Sequence, residues 1–371
     1  MRPTDELAQL LRPAGGGLYT VSTGRAAQAA MQQALYGAAS ADGVEAAWRA
    51  ALASIASARV AVLAIPSDCG AGLVRGAAYG PLGLRQALLE DPHHRAWAAG
   101  AGVVDVGDVR VVPHLLHDEM VSAAQRRSSQ DALYPEVPPE ERARLPVAPL
   151  SVAERVVDLL LTLNPSLRLC MIGGDHSVSW PVVAAIARHR SHPFAIVHPD
   201  AHTDLLPERL GVKYCFATWA YHANEALGRG QRLVQVGIRA SRHDREHWER
   251  TLDVKQFWAE QVRARGEAGT IDDIAAHLRA IGVRSVYFSN DIDATDAALA
   301  PSTGAAEPAG LSGELVLGLV QRLGAEFELI GADLVEVAPP VGSVEESQRT
   351  VALGARYLRA SLGALVGEVR S

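Results

Sequence analysis

The residues best equipped for chemistry crowd the stretch AIVHPDAHTD, where an apolar run ends in His198, Asp200, His202 and Asp204. Residues two apart in extended backbone project to the same side, so Asp200, His202 and Asp204 should converge on one point. That trio suits half of a metal site, although a solvated loop at a strand end accepts the same residue types. Two further segments repeat the arrangement. GGDHS (173–177) follows another apolar run and sets His176 after paired glycines, where a histidine could also serve as a helix cap. SNDIDATD (289–296) sets Asp291 and Asp293 two apart, a spacing that a simple turn would also explain. Left alone, carboxylates gathered in one place repel and shift one another's pKa values; a pair of divalent cations compensates them. The inventory of His176, Asp200, His202, Asp204, Asp291 and Asp293 is oxygen-rich with some nitrogen. It favours Mn²⁺, with Ni²⁺ also acceptable, over a thiolate-loving ion. No cysteine belongs to the cluster, which argues against structural zinc.

Elements able to position these groups recur from Arg59 onward. Short β-branched runs at 59–65, 101–109, 165–174, 193–201, 232–238, 284–293 and 328–337 alternate with amphipathic helical patterns at 80–90, 151–163, 177–189, 271–281, 313–323 and 346–366. Such alternation predicts a mostly parallel sheet covered by helices on both faces, an α/β architecture of three layers. Open sheets of this kind bind ligands at the C-terminal ends of their strands, where all the polar clusters fall. The polar, Pro-rich segment 110–150 reads as a long surface loop. Residues 1–58 differ: GRAAQAAMQQALYGAASADGVEAAWRAALASIA is Ala-rich with helical spacing and a break near Gly43, predicting two helices in an N-terminal extension. Residues 59–371 form the catalytic domain in this reading.

Composition narrows the function classes. The 371 residues carry 48% hydrophobic and 21% charged side chains, an ordinary globular balance. The net charge of -7 and the absence of a Lys/Arg cluster leave no electrostatic footprint for nucleic acid. Arg supplies nearly all positive charge, since Lys213 and Lys255 are the only lysines. Cys69, Cys170 and Cys215 are odd in number and widely spaced, which points to a reducing, cytoplasmic setting. The first residues lack the apolar stretch of a signal peptide, and no run of about 20 apolar residues predicts a membrane span.

GGDHS, DAHTD and SNDIDATDAALAPSTGAAEPAG together resemble the three signature motifs of the ureohydrolase family, which includes arginases, agmatinases, guanidinobutyrases and formimidoylglutamases. IPSDCGAGLVRGAAYGPLGLR (65–85), DVGDV (105–109) and GADLVEVAPP (331–340) extend the likeness over residues 59–366. Segment 113–150 matches poorly and 1–58 is not covered. The resemblance implies an arginase-like α/β/α fold, a trimer or hexamer, and two divalent ions on His176, Asp200, His202, Asp204, Asp291 and Asp293. It implies hydrolysis of a guanidino or amidine C–N bond, with activated water as nucleophile. Asp204 would hold that water, and Glu336 would pair with the substrate's cationic group.

Where the chain departs from the family, substrate identity is affected. After DAHTD comes LLPERLGVKYCFATWA, without the serine or asparagine that arginine-specific members present there. The strand-end segment GIRASRHDRE has Ala240 and Arg242 where an arginase recognises a free α-amino group. Arginine is therefore disfavoured; guanidinobutyrate-like acids, agmatine-like amines and free guanidine are the candidates. Arg242 suits a carboxylate, as in formimidoylglutamate hydrolysis, the alternative activity; a ligand-binding homologue without turnover is a third possibility. Many relatives carry a His-Gly pair for proton transfer where this chain has Cys215-Phe216 or Phe216-Ala217. His222 is the nearest histidine and a candidate substitute, although a helix-face histidine is more often structural. Asn290, Ala297 and Ala309 are further departures that remove no candidate ligand.

Overall fold

The β-branched runs become strands of one nine-stranded sheet in the computed structural model, which describes residues 1–18 and 24–367. The strands are β1 (Leu11–Arg12), β2 (Val60–Ile65), β3 (Val103–Val109), β4 (Arg168–Gly173), β5 (Ala195–Pro199), β6 (Leu233–Val236), β7 (Lys255–Phe257), β8 (Ser285–Asp291) and β9 (Glu328–Val335). Their spatial order is β1-β3-β2-β4-β9-β8-β5-β6-β7. Every neighbouring pair is parallel except β1 with β3.

The continuous hydrophobicity of VAVLAI follows from this placement, since all six residues are buried and alternate ones enter opposite faces. Leu63 and Ile65 join one core with Leu169, Met171 and helices Pro149–Leu163 and Ser179–His189. Val60, Val62 and Ala64 join the other with Cys170, Ile172 and helices Gly313–Glu326 and Val344–Val366. Two cores separated by one sheet make the three expected layers. No helix among the described residues is long and apolar enough to cross a membrane.

Strand order determines where chemistry can assemble. The chain reaches β5 early, then returns to insert β8 and β9 between β5 and β4. Four strands thus lie side by side as β4-β9-β8-β5, all parallel, so their C-terminal ends share one edge.

Three features differ from the reading of the sequence. β1 and β7 are only two and three residues long, too short to give a periodic signal. Among its described residues the N-terminal segment holds three α-helices, Pro3–Leu10, Arg25–Tyr36 and Ala41–Ala53. The break between the latter two falls at Gly37, in left-handed backbone, whereas Gly43 lies inside the last helix beneath its Ser40 cap. Segment 110–150 is not merely a surface loop: it contains helix Ala123–Leu133 and buries Tyr134, Val137, Leu145 and Val147. Its scattered apolar residues are gathered by hydrogen bonds from Gln130 Nε2 to Leu145 O (2.8 Å) and from Tyr134 OH to Pro146 O (2.7 Å).

Candidate metal centre

Each of the four adjacent strand ends contributes. After β4, Gly173 and Gly174 make a turn so tight that a Cβ on Gly174 would lie 1.9 Å from Ser67 O. Asp175 then accepts from Ser177 N (2.8 Å) and Gly70 N (2.9 Å), and so points buried His176 over the sheet edge. β5 ends at Pro199, so Asp200, His202 and Asp204 do not converge by simple continuation of the strand. Instead Asp200 accepts from His202 N (2.5 Å), and Asp204 turns back in left-handed backbone at φ 51°. At β8, Asp291 accepts from Asp293 N at 2.8 Å, so the aspartates do form a turn as well as face the site. Glu336 follows β9 with φ 62°, its N–H donating to Gly174 O (2.8 Å) and its Oε1 accepting from His176 N (2.9 Å). Positive φ at two non-glycine residues of one site costs on the order of 1–3 kcal/mol each, and the surrounding hydrogen bonds impose it.

The side chains converge closely. His176 Nδ1 lies 3.0 Å from Asp291 Oδ2 and 3.5 Å from both Asp200 Oδ2 and Asp204 Oδ2. His202 Nδ1 lies 3.0 Å from Asp293 Oδ2 and 3.5 Å from Asp200 Oδ1. Asp200 is therefore shared between the two imidazoles. Two donor groups that could hold a metal ion overlap on it: His176, His198, Asp200 and Asp204, and Asp200, His202 and Asp293. Within each group the ligand atoms lie within 4.8 Å of one another.

Burial governs the charges. It raises the carboxyls of Asp204, Asp291 and Asp293 above their usual range, with repulsion from neighbouring aspartates adding to the effect. Burial opposes the charged form of His176 as well, but Asp200 and Asp291 outweigh it and hold the imidazole well above its ordinary value. His202, likewise opposed by burial, is pushed up to about 12 by Asp200 and Asp293. Burial also works against Asp200, yet His198, His176 and His202 keep it well below the usual range. Glu336 is raised by burial first and by nearby Asp175 second.

The donors fit divalent ions. Ser289 Oγ donates to Asp333 Oδ1 (2.9 Å), which also leaves Ser289 to accept from His176 Nε2 at 3.1 Å. With Nε2 taken up by Ser289, Nδ1 is the ring nitrogen that faces three carboxylates and the one placed to meet an ion.

Several contributors carried no motif signal. Trp219 stacks on His176 with centroids 4.4 Å apart. Arg239 spreads its guanidinium over the carbonyls of Asp293 (2.7 Å), Glu307 (2.8 Å), Pro308 (2.9 Å) and Gly237 (3.1 Å), tying the Asp293 turn to the loop beyond it. Its only trace in the sequence is the arginine of GIR. His198 is visible in AIVHPD, but nothing in its spacing separates it from the donors around it.

His222 and Arg242 are not brought into the cluster. His222 Nε2 bonds Lys213 O (2.9 Å), and its ring packs on Tyr214 (5.0 Å) and Trp180 (5.5 Å); it braces the loop before it. Arg242 is exposed and makes no hydrogen bond or ion pair among the described residues. Cys215 is buried with its thiol raised by that burial, the wrong direction for a nucleophile. Its neighbour Phe216 donates its N–H to Gly70 O (3.1 Å), closing LLPERLGVKYCFATWA onto the loop after β2.

A model of the arginase family matches residues 58–363, which contain every strand end described above. The chain belongs to the arginase family. It is 42% identical over 168 residues to the N(1)-aminopropylagmatine ureohydrolase of Thermus thermophilus, covering 45% of this chain and 54% of that protein. It is 38% identical over 199 residues to the agmatinase of Proteus mirabilis, covering 52% and 60%. The chain thus spans little more than half the length of these curated relatives. Its fold is similar to that of proclavaminate amidino hydrolase from Streptomyces clavuligerus (TM-score 0.63, 27% identity), across 83% of this chain and 92% of that one.

Proposed function

We propose that this arginase-family chain is a binuclear metal hydrolase that cleaves a guanidino C–N bond and releases urea. The observation that carries the reading is the meeting of His176, Asp200, His202, Asp204, Asp291 and Asp293 at the ends of adjacent strands, with half-buried Glu336 beside them. His176, Asp200, Asp204 and Asp291 would hold one ion, and Asp200, His202 and Asp293 the other. Bound there, two divalent ions supply Lewis acidity and lower the pKa of water. Oxygen-rich ligation favours Mn²⁺, with Ni²⁺ second.

The chain's own groups do the rest. Among the described residues no hydrogen bond reaches Oδ1 of Asp204, while Trp219 Nε1 donates to Oδ2 at 3.1 Å. Asp204 Oδ1 therefore serves as acceptor for the proton of the attacking water. Glu336 spends Oε1 on His176 N and keeps Oε2 for the substrate. Its surroundings make this carboxylate costly to ionise, and a planar guanidinium offsets that cost with charge-assisted hydrogen bonds.

The substrate class follows from relatives named for agmatine and aminopropylagmatine, so small guanidino amines rank before guanidinobutyrate-like acids and free guanidine. A cytoplasmic homo-oligomer, trimer or hexamer, belongs to the same reading. The test is to load the protein with Mn²⁺ or Ni²⁺ and assay agmatine, aminopropylagmatine, guanidinobutyrate, guanidine and formimidoylglutamate for urea, ammonia and formamide. Urea from any of them supports the proposal. Formamide alone would replace it with amidine hydrolysis, and no product from metal-loaded protein would remove the catalytic reading.

A further inference from the structure

Behind the candidate metal centre, three polar side chains stand in a row across three strands. His198 on β5 is the register partner of Gln235 on β6, and Gln235 is the register partner of Gln256 on β7. All three are at most 1% exposed. Glutamine in the middle of a buried parallel strand contributes little to packing, and its amide must be bonded to be tolerated. The bonds run in one line. Trp258 Nε1 donates to Gln256 Oε1 (2.9 Å), and Gln256 Nε2 donates to Gln235 Oε1 (2.8 Å). Gln235 Nε2 donates to Thr203 O (2.7 Å) and lies 3.1 Å from His198 Nδ1. His198 Nε2 lies 2.7 Å from Asp200 Oδ2.

The direction of this line is forced at both ends. An indole N–H only donates, so Gln256 must present its oxygen to Trp258 and its amino group to Gln235. A backbone carbonyl only accepts, so the Gln235 atom beside Thr203 O must be nitrogen. With one hydrogen given to Thr203, the other points at His198 Nδ1. That nitrogen accepts and therefore carries no proton, and the single proton of the ring sits on Nε2, facing Asp200. The opposite tautomer needs both amides turned over, which sets Gln235 Oε1 against Thr203 O and presents Gln256 Nε2 to the Trp258 N–H.

We infer that the Trp258–Gln256–Gln235 row locks His198 as an Nε2–H donor to Asp200, so that His198 is a positioning residue for that carboxylate and not a third imidazole ligand. This rests on the reading of Asp200 as a metal-holding residue. Distance alone admits His198 to the same donor group as His176, Asp200 and Asp204. A protonated Nε2 has no lone pair to offer an ion; it orients the carboxylate that does. The same Gln235 amide holds Thr203 O, between His202 and Asp204, so one buried side chain orders both the carboxylate and the turn that follows it.

The test uses metal-free, full-length protein with ¹⁵N-labelled histidine rings. Ring ¹⁵N–¹H correlations read which nitrogen is protonated, and His198→Asn identifies the signal by its loss. The expected result is one His198 tautomer, protonated at Nε2 and bare at Nδ1; a proton at Nδ1 overturns the inference even if no variant folds. Trp258→Phe keeps the aromatic volume and removes the N–H that polarises the row. It should give mixed His198 tautomers and weaken Mn²⁺ binding by calorimetry about tenfold, the lower end for loss of such support. An unchanged tautomer with Mn²⁺ affinity within about twofold of wild type overturns the inference. No Mn²⁺ uptake by the wild type would instead overturn the metal reading beneath it, whereas uptake with the proton on Nδ1 would overturn this inference alone.

Discussion

The indole N–H of Trp219 donates to Oδ2 of Asp204 at 3.1 Å while the same ring stacks on His176. One aromatic side chain therefore orients two of the proposed ligands, and the two functions can be separated. Trp219→Phe keeps an aromatic face beside His176 and removes the hydrogen bond to Asp204. Loss of such a partner lowers metal affinity about 10- to 100-fold. Calorimetric titration with Mn²⁺ checks the loss, and an unshifted thermal midpoint in the metal-free state shows that the core is intact.

Asp293 meets His202 Nδ1 at 3.0 Å and accepts from Ala201 N at 3.1 Å, so it is placed to serve both the proposed second ion and the turn after β5. Asp293→Ala and Asp204→Ala should each abolish stable loading of two ions and reduce turnover to background. Metal content after dialysis, measured by mass spectrometry, is the direct readout. Full loading and activity in either variant would remove that residue from the ligand set.

Metal-free protein should lose stability as pH rises. Folding raises the proton affinities of Asp204, Asp291 and Glu336, chiefly through burial, and of His176 and His202 through their carboxylate neighbours. Between its unfolded and folded pKa each group binds more protons in the folded state, so the slope of stability against pH is negative there. The window opens in the ordinary carboxylate range and extends, through His202 at about 12, into alkaline solution. Asp200, held low, contributes the opposite slope only in acid. Divalent ions replace those protons, so the gap in melting temperature between Mn²⁺-loaded and chelator-treated protein should widen from pH 5 to pH 8, roughly the span over which cluster protons are lost. A constant gap would contradict this account of the charges.

The candidate ligands were legible because carboxylate and imidazole spacing at strand ends is local information. Asp200, His202 and Asp204, or Asp291 and Asp293, announce themselves within five residues. What they lean on is not local. Trp219 arrives from a helix after the loop, Asp333 reaches His176 only through Ser289, and Gln235 and Gln256 matter only once three strands are in register. The expected convergence of Asp200 and Asp204 by strand alternation also gave way to a left-handed turn at Asp204 that no spacing rule reveals. Likewise β1 and β7 owe their existence to a neighbouring edge and not to their own few residues.

Arg239 shows how much the turn at Asp293 depends on geometry rather than charge. Its fork satisfies carbonyls of Gly237, Asp293, Glu307 and Pro308 at 2.7–3.1 Å, an arrangement a lysine ammonium cannot span. Arg239→Lys keeps the charge but takes a partner from the buried carbonyls of Gly237 and Asp293, each worth about 1–3 kcal/mol. The expected loss is about 2–4 kcal/mol in chemical denaturation, with weaker retention of the ion held through Asp293 and His202. Unchanged stability would show that water replaces the fork without cost.

The N-terminal segment is tied to the sheet at a point remote from the metal centre, which gives a final, separable prediction. Leu11 and Arg12 pair antiparallel with Val109 and Asp108, capping the outer edge of β3. Trp48, 1% exposed, donates its indole N–H to Val106 O at 2.8 Å. Gly107 makes room for both: at φ 89°, a Cβ there would lie 2.0 Å from Arg12 O and 3.0 Å from Trp48 Nε1. Trp48→Ala removes the largest buried side chain of the segment and leaves a cavity against β3, at a cost of about 3–5 kcal/mol. Deleting residues 1–57 goes further, stripping away Leu7, Leu10, Leu11, Trp48, Leu52 and Ile55 and leaving β3 as an uncovered hydrophobic edge, a template for aggregation. Trp48→Ala should therefore lower stability while leaving Mn²⁺ affinity of the folded fraction unchanged, because β2 and β3 stand between that cavity and β4. The deletion should be insoluble or self-associate in light scattering; a soluble, metal-binding 58–371 fragment would show that the segment is an addition to a self-sufficient fold.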